Sequence, residues 1–330
     1  MSPKIADLPL RYQDIAEAAD RIRPLVVETP LLEVHELSEA IGGRFFVKCE
    51  NVQRTGSFKL RGGMNALASL SAEERARGVV AYSSGNHAQG VAAAARHFGI
   101  PATIIMPEDA PEIKKANTKA LGASVITYDR YSESREALGE KVQAETGANL
   151  IPPYDFLPTI AGQGTSAIEV TNQLRAKGLS LDTAIICCGG GGLSGGSALV
   201  FNTTFPQARV WAAEPATHDD TGRSLSAGKR VENDPEARSI CDAIVTPTPG
   251  ALTFPILQAC GVEGRSASDE DVLDAIAFAA NRMKLVVEPG GCIALAVART
   301  HLTELQGQTV VAYLSGGNID PSMLRRALER

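Results

Sequence analysis

Short apolar runs rich in β-branched residues alternate along the chain with longer, Ala-rich segments that keep polar residues to one side. The runs Arg44–Lys48, Gly78–Tyr82, Ala102–Met106, Ser124–Tyr128, Ala184–Cys188, Val210–Ala213 and Thr309–Leu314 predict strands. Helical spacing predicts helices over Ile15–Ile22, Phe58–Ser69, Ala88–Phe98, Glu112–Leu121, Ser132–Thr146, Ile160–Lys177, Asp269–Met283 and Gly290–His301. The strand runs lack the alternating polarity of a half-exposed sheet. Both faces are therefore expected to be covered, as in parallel sheets flanked by helices in an α/β fold. Two such layers are expected: a smaller domain at about residues 50–150, inserted into a larger one formed by 1–49 plus 151–330. The stretch Gly222–Pro249 has little periodicity and reads as a long surface excursion.

Composition narrows the class. The 330 residues are 44% hydrophobic, ordinary for a globular chain long enough for two cores. The 38 acidic and 32 basic residues are dispersed and leave a net charge of −6, which argues against a nucleic-acid or anionic-membrane partner. No apolar stretch is long enough to span a bilayer and no signal-like start is present. The six cysteines (Cys49, Cys187, Cys188, Cys241, Cys260 and Cys292) show no zinc-type pairing. They are expected to be buried, reduced thiols, as in the cytoplasm.

Chemistry enters with Ser57-Phe58-Lys59, directly before a helix and flanked by Gly56, Gly62 and Gly63. Such a lysine is either a solvated first-turn residue or a partly buried amine. A cation at a helix N-terminus is unfavourable, and burial lowers the amine pKa as imine formation requires. After the strand at Ala184–Cys188 come four glycines and then Leu193-Ser194-Gly195-Gly196, opening a helix. Consecutive glycines let main-chain N–H groups converge on an anion at a helix start. The loop is neither a Walker A sequence nor a dinucleotide fingerprint, so it reads as a phosphate cup. Ser83-Ser84-Gly85-Asn86-His87 lies between a strand and a helix, as a capping turn or a carboxylate site.

SFKLRG, SSGNHAQG, the tetraglycine loop and Leu314-Ser315-Gly316-Gly317-Asn318, in this order, resemble the fold-type II pyridoxal-phosphate enzymes. Within them the match is to the threonine/serine dehydratase and serine racemase branch, which includes 3-hydroxyaspartate dehydratases. The resemblance runs from about Asp14 to Asp320 and implies a two-domain, tryptophan synthase β-like fold, a homodimer and a small amino-acid substrate. It implies that Lys59 holds pyridoxal 5′-phosphate as a Schiff base and removes the substrate α-proton. Phe58 would lie beside the cofactor, Asn86 would bond the pyridine 3′-oxygen, and Gly189, Gly190, Gly191, Gly192 and Leu193 would hold the phosphate. Ser315 would meet the pyridine nitrogen, and a hydroxyl there leaves the ring a weaker electron sink, which favours prompt elimination.

For the substrate, the resemblance implies that Ser83, Ser84, Asn86 and His87 hold the α-carboxylate. Ser84 also matches the second acid/base of racemases, so D/L interconversion stays open. Arg135 is a solvated helix-face residue or, by the resemblance, a partner for a distal carboxylate, which would select 3-hydroxyaspartate over threonine or serine. Tyr154 stands where racemases carry Asn, and Thr246–Phe254 is expected to line the pocket through Gly250. Gln89, Lys284 and Asn318 resemble nucleotide-activation positions of serine racemases, while Leu31-Leu32 replaces the hydroxyl pair expected there. Glu214, the His218 carbonyl and Asp220 match a divalent-cation site whose all-oxygen ligands suit Mg²⁺, Mn²⁺ or Ca²⁺. The expected reaction is loss of water from threonine, serine or 3-hydroxyaspartate to a 2-oxo acid and ammonia. A serine or aspartate-type racemase and a β-replacement enzyme of the cysteine-synthase type are the alternatives.

Overall fold

The computed structural model describes residues 3–83, 85–110, 112–129 and 132–330, with the side chains of residues 113, 135 and 136 outside the description. Its strands are β1 (Leu31–Glu33), β2 (Arg44–Cys49), β3 (Val79–Tyr82), β4 (Ala102–Pro107), β5 (Ser124–Tyr128), β6 (Asn149–Leu150), β7 (Thr183–Cys187), β8 (Arg209–Pro215), β9 (Glu263–Ala267) and β10 (Thr309–Leu314). They form two sheets, ordered β1-β2-β10-β7-β8-β9 and β5-β4-β3-β6. Every pairing is parallel except β1 with β2.

The predicted strands correspond to β2, β3, β4, β5, β7, β8 and β10, within a residue or two at the ends. The unpredicted ones (β1, β6 and β9) all lie at sheet edges. An edge strand needs one covered side less, so Glu263-Gly264-Arg265-Ser266 can be a strand without an apolar signature. In the smaller sheet, Val79, Ala81 and Ile104 pack with Leu60, Met64 and Val91 on one face. Val80 and Ile105 pack with Tyr128, Val142 and Ala148 on the other. Alternate residues of one strand are thus buried on opposite faces, which is why β3 and β4 read as unbroken apolar runs.

The helix Lys59–Ala68 sits between Asn86–Phe98 and Leu157–Ala176. Its crossing with Asn86–Phe98 depends on missing side chains: a Cβ on Gly63 would lie 2.8 Å from the Gly90 carbonyl oxygen, and one on Gly90 2.9 Å from the carbonyl carbon of Lys59. Backbone contact therefore sets Lys59 and Asn86 at a fixed separation. On the far side of the same helix Arg61 is fully buried. Its guanidinium forks onto Glu50 (2.7 and 2.8 Å) and Glu169 (2.6 and 2.8 Å), and Lys48 adds a 2.7 Å bond to Glu169.

One expectation is corrected. Residues 222–249 are a surface excursion only in their middle: 226–240 lie on the surface apart from the buried Asn233, while 222–225 belong to the helix Asp220–Ala227 and the chain from 241 turns inward, burying Cys241 and Ile244. The main chain of Ile244 packs so closely on Gly189 that a Cβ there would sit 2.9 Å from its carbonyl oxygen. An irregular backbone has no periodicity to read even where it is buried.

Candidate active site

The segments that follow β3, β7 and β10 meet at one cavity of about 450 Å³. The carboxyl ends of parallel strands are where loops are free of the ladder and ligands bind. Lys59, Asn86, Gly189, Glu288 and Ser315 all line it.

Lys59 opens its helix from a pinned position. Ser57 forms an antiparallel bridge with Gly316, and the Phe58 N–H donates to the Ser315 carbonyl at 3.1 Å. The Lys59 Nζ donates to the Pro153 carbonyl at 2.9 Å and lies 5.0 Å from the Phe58 ring centroid. Desolvation lowers this amine to about 8, against the opposing pull of Cys187 and Glu288. An exposed first-turn lysine would not be so shifted.

The glycine loop runs from β7 into the helix Gly192–Thr204, with Gly191 in the left-handed region at φ 90°. The Gly190 carbonyl is turned away, accepting from Thr253 Oγ1 at 2.6 Å and from the Gly250 N–H at 3.2 Å. A Cβ on Gly190 would overlap the Tyr154 ring, and one on Gly192 the Gln163 Oε1. With its carbonyl occupied elsewhere and a helix start beside it, the loop offers N–H groups to an anion. Leu193 is buried behind it.

Asn86 is the first residue of its helix. Its Nδ2 donates to Glu288 Oε1 at 2.6 Å and its Oδ1 accepts from Asn318 Nδ2 at 2.7 Å. Burial raises the Glu288 carboxyl to about 7, opposed by its bond to Asn86. Sequence reasoning did not single out Glu288; the signal available was a lone acid in the apolar run Val286-Val287 before Pro289-Gly290-Gly291. Ser315 is buried with its hydroxyl against the Cys187 thiol, and burial pushes that thiol up to about 11, so it stays neutral.

The carboxylate-binding residues are less uniform. The Ser83 hydroxyl accepts from the Gly85 N–H at 3.2 Å, a local turn at the cavity edge. The His87 ring is buried with Nε2 2.8 Å from the Ile151 carbonyl, and desolvation followed by the Lys59 charge lowers it to about 3. A neutral imidazole facing a carbonyl offers no cation to a substrate carboxylate. What His87 keeps for that task is a main-chain N–H in the first helical turn. Ser84 and the Arg135 side chain lie outside the described residues; Arg135 begins the helix Arg135–Thr146.

Away from the cavity, Glu214 at the end of β8 accepts from the Thr221 and Gly222 N–H groups at 2.8 Å each. Asp220 Oδ1 accepts from Asn233 Nδ2 at 2.6 Å, while its Oδ2 is buried with no partner among the described residues. The His218 Nδ1 lies 3.0 Å from Thr217 Oγ1. Among the described residues no group of three or more His, Cys, Asp or Glu side chains is gathered for a metal. A cation here needs a main-chain carbonyl alongside the two carboxylates. Buried carboxylates with a bare oxygen fit that requirement.

The cavity likewise fits pyridoxal phosphate: a desolvated amine, an anion cup that no Cβ could share, a held amide and a buried hydroxyl surround one space. Residues 22–316 match the family model described as pyridoxal-phosphate dependent enzyme. The chain is 43% identical over 310 residues to an L-threo-3-hydroxyaspartate ammonia-lyase of Saccharomyces cerevisiae, covering 94% of this chain and 93% of that one. It is 41% identical over 309 residues to a serine racemase of Schizosaccharomyces pombe, covering 94% of each. The structure of maize serine racemase matches with a TM-score of 0.90 at 36% identity, covering 97% of each chain.

Proposed function

The chain belongs to the pyridoxal-phosphate dependent enzyme family, and we propose that its reaction is the loss of water from a small β-hydroxy amino acid to give a 2-oxo acid and ammonia. The Lys59 amine, held against the Pro153 carbonyl in the cavity that the glycine cup also lines, is the observation that carries this. Pyridoxal phosphate, when bound, supplies the electron sink that stabilises charge at the substrate α-carbon. Lys59 would be the residue that holds it and the base for the substrate α-proton; with a pKa of about 8, roughly a tenth of the amine is already neutral at pH 7. Phe58 would pack beside it, Gly189 through Gly192 and Leu193 would bind its phosphate, Asn86 and Ser315 would bond its ring, and Ser83, Ser84 and the helix start at Asn86-His87 would bind the substrate carboxylate. The separate β5-β4-β3-β6 sheet supports reading about residues 50–150 as the smaller domain. Two further parts of the reading are a homodimer and a cytoplasmic location. Six unpaired cysteines support a reducing compartment, and no described helix is long and apolar enough to cross a membrane.

Among substrates, 3-hydroxyaspartate is favoured, with Arg135 as partner of its distal carboxylate. Ammonia release from L-threonine, L-serine and each 3-hydroxyaspartate diastereomer tests this, with chiral analysis of residual substrate to score racemisation. Hydroxyaspartate should be turned over fastest. Arg135→Ala should lose at least about tenfold in kcat/KM for it and much less for threonine. Equal losses on both substrates would remove Arg135 from the distal site.

Glu214, the His218 carbonyl and Asp220 are read as ligands of Mg²⁺, Mn²⁺ or Ca²⁺, supported by the partnerless Asp220 oxygen. A cation bound only by the folded state stabilises it by mass action. Exhaustive chelation should therefore lower Tm by several degrees, and any of the three ions should restore it. An unchanged Tm in protein shown to be metal-free would refute the site.

A further inference from the structure

Behind the cavity, three side chains from distant segments form a directed chain. Asn318, beyond β10, donates from Nδ2 to Asn86 Oδ1 at 2.7 Å and to the Thr55 carbonyl at 2.9 Å, which uses both of its amide hydrogens. Asn86 gives one Nδ2 hydrogen to Glu288 Oε1 at 2.6 Å and keeps the other. Glu288, only 6% exposed, precedes the helix Pro289–Thr300, and its N–H donates to the Gly316 carbonyl at 3.0 Å. Gly316 must lack a Cβ for this approach, since one would overlap Glu288 Oε1.

An amide can be turned end for end at little steric cost, so its orientation is set by its partners. An ionised carboxylate accepts only. Facing Asn86 it forces Nδ2 toward itself and Oδ1 toward Asn318, leaving a hydrogen-bond donor for the cavity. A protonated carboxyl is a weaker acceptor and draws the Asn86 Nδ2 less firmly, while Asn318, both of whose amide hydrogens are committed, still opposes a full flip by holding Oδ1.

We propose that Glu288 is a positioning residue: ionised, it holds the Asn86 amide with an N–H toward the ring oxygen of bound pyridoxal phosphate, and its protonation weakens that hold. The proposal rests on the cofactor reading above. Asp242 and Lys114 act on Glu288 by charge, the Glu288 carboxylate in turn acts on Lys59 and on the neutral Cys187 thiol, and the Asn318 main-chain N–H also faces it. Burial raises its carboxyl to about 7, with Asp242 adding to the rise and Lys114 opposing it. The ionised, orienting form therefore prevails above about pH 7 and is lost as pH falls through it.

The test is pyridoxal-phosphate affinity of the cofactor-stripped protein, titrated by absorbance from pH 6 to 8.5. Wild-type affinity should fall as pH drops through about 7. Glu288→Gln keeps an accepting Oε1 but cannot ionise, so it should retain most of the affinity and lose that step. Glu288→Ala should bind roughly tenfold more weakly across the range, as expected for losing a hydrogen bond to a charged group. The titration of Lys59 should persist in both variants. A Glu288→Gln protein that keeps the wild-type step, or a Glu288→Ala protein that binds as wild type, overturns the positioning role. If Glu288→Ala does not fold, the glutamine variant decides alone. A wild-type protein that takes up no cofactor at any pH refutes the cofactor reading instead.

Discussion

Lys59→Ala is expected to abolish turnover, with kcat reduced by at least about 10⁴-fold, while the protein stays folded. Two functions are lost together: the covalent hold on the cofactor and the base for the α-proton. Alanine has no amine, and among the described residues lining the cavity Lys114 and Arg230 are the only other lysine and arginine side chains. Lys114 is paired at 3.6 Å with Asp242, and Arg230 donates to the Pro249 carbonyl at 3.2 Å. Neither is held against Phe58 and Pro153 as Lys59 is. Stability should change little, because the deleted group is a desolvated amine with one main-chain partner. Borohydride treatment of the wild type should fix the cofactor to the Lys59 peptide, and the variant should release it on dialysis. Ammonia release above about 1% of wild type would place the base elsewhere.

The second large effect falls on stability. Arg61→Ala should cost about 3–5 kcal/mol, since it leaves Glu50 fully buried with its charge uncompensated and strips Glu169 of a forked partner. Burial pushes the Glu50 carboxyl up, yet the Arg61 guanidinium together with Lys48 and the Thr29 hydroxyl outweighs it and the net shift is downward. A carboxylate with a lowered folded pKa contributes stability above its ordinary range near 4.5, and that contribution is lost as pH falls below it. The wild type should therefore lose stability on acidification through the carboxylate range, and Arg61→Ala should lose less there because it starts without the pair. Arg61→Lys should recover only part, since an ammonium cannot span two carboxylates as the fork does. Thermal melts at pH 7 and pH 4 read both effects. A loss under about 1 kcal/mol at pH 7 would mean that the network is not what holds this helix.

Arg61 shows how unevenly the site was legible. It stands two residues from Lys59 in the SFKLRG segment, yet nothing local marks it as buried; its partners Glu50 and Glu169 are 11 and 108 positions away. Asn86 was legible as part of a turn between a strand and a helix, but Glu288, which accepts from its amide, is 202 positions away. The resemblance implies His87 as a carboxylate partner, but the fold turns its ring to Ile151, 64 positions on. The strands β1, β6 and β9 escaped notice because an edge can be polar.

What the amino-acid order determined by itself was everything that depends on neighbours in the chain. A lysine before a helix, glycines after a strand and a hydroxyl after another strand carry their meaning in backbone conformation, which is set over a few residues. The alternation of apolar runs likewise called for two covered parallel sheets. Only the tertiary structure decided which distant groups close on those positions: the pairing of Glu288 with Asn86, the clamp on Arg61, the inward turn of residues 241–250 and the neutral His87. Burial and pairing exist only once remote segments meet, and they, more than residue type, set the charge of Lys59 and of the groups around it.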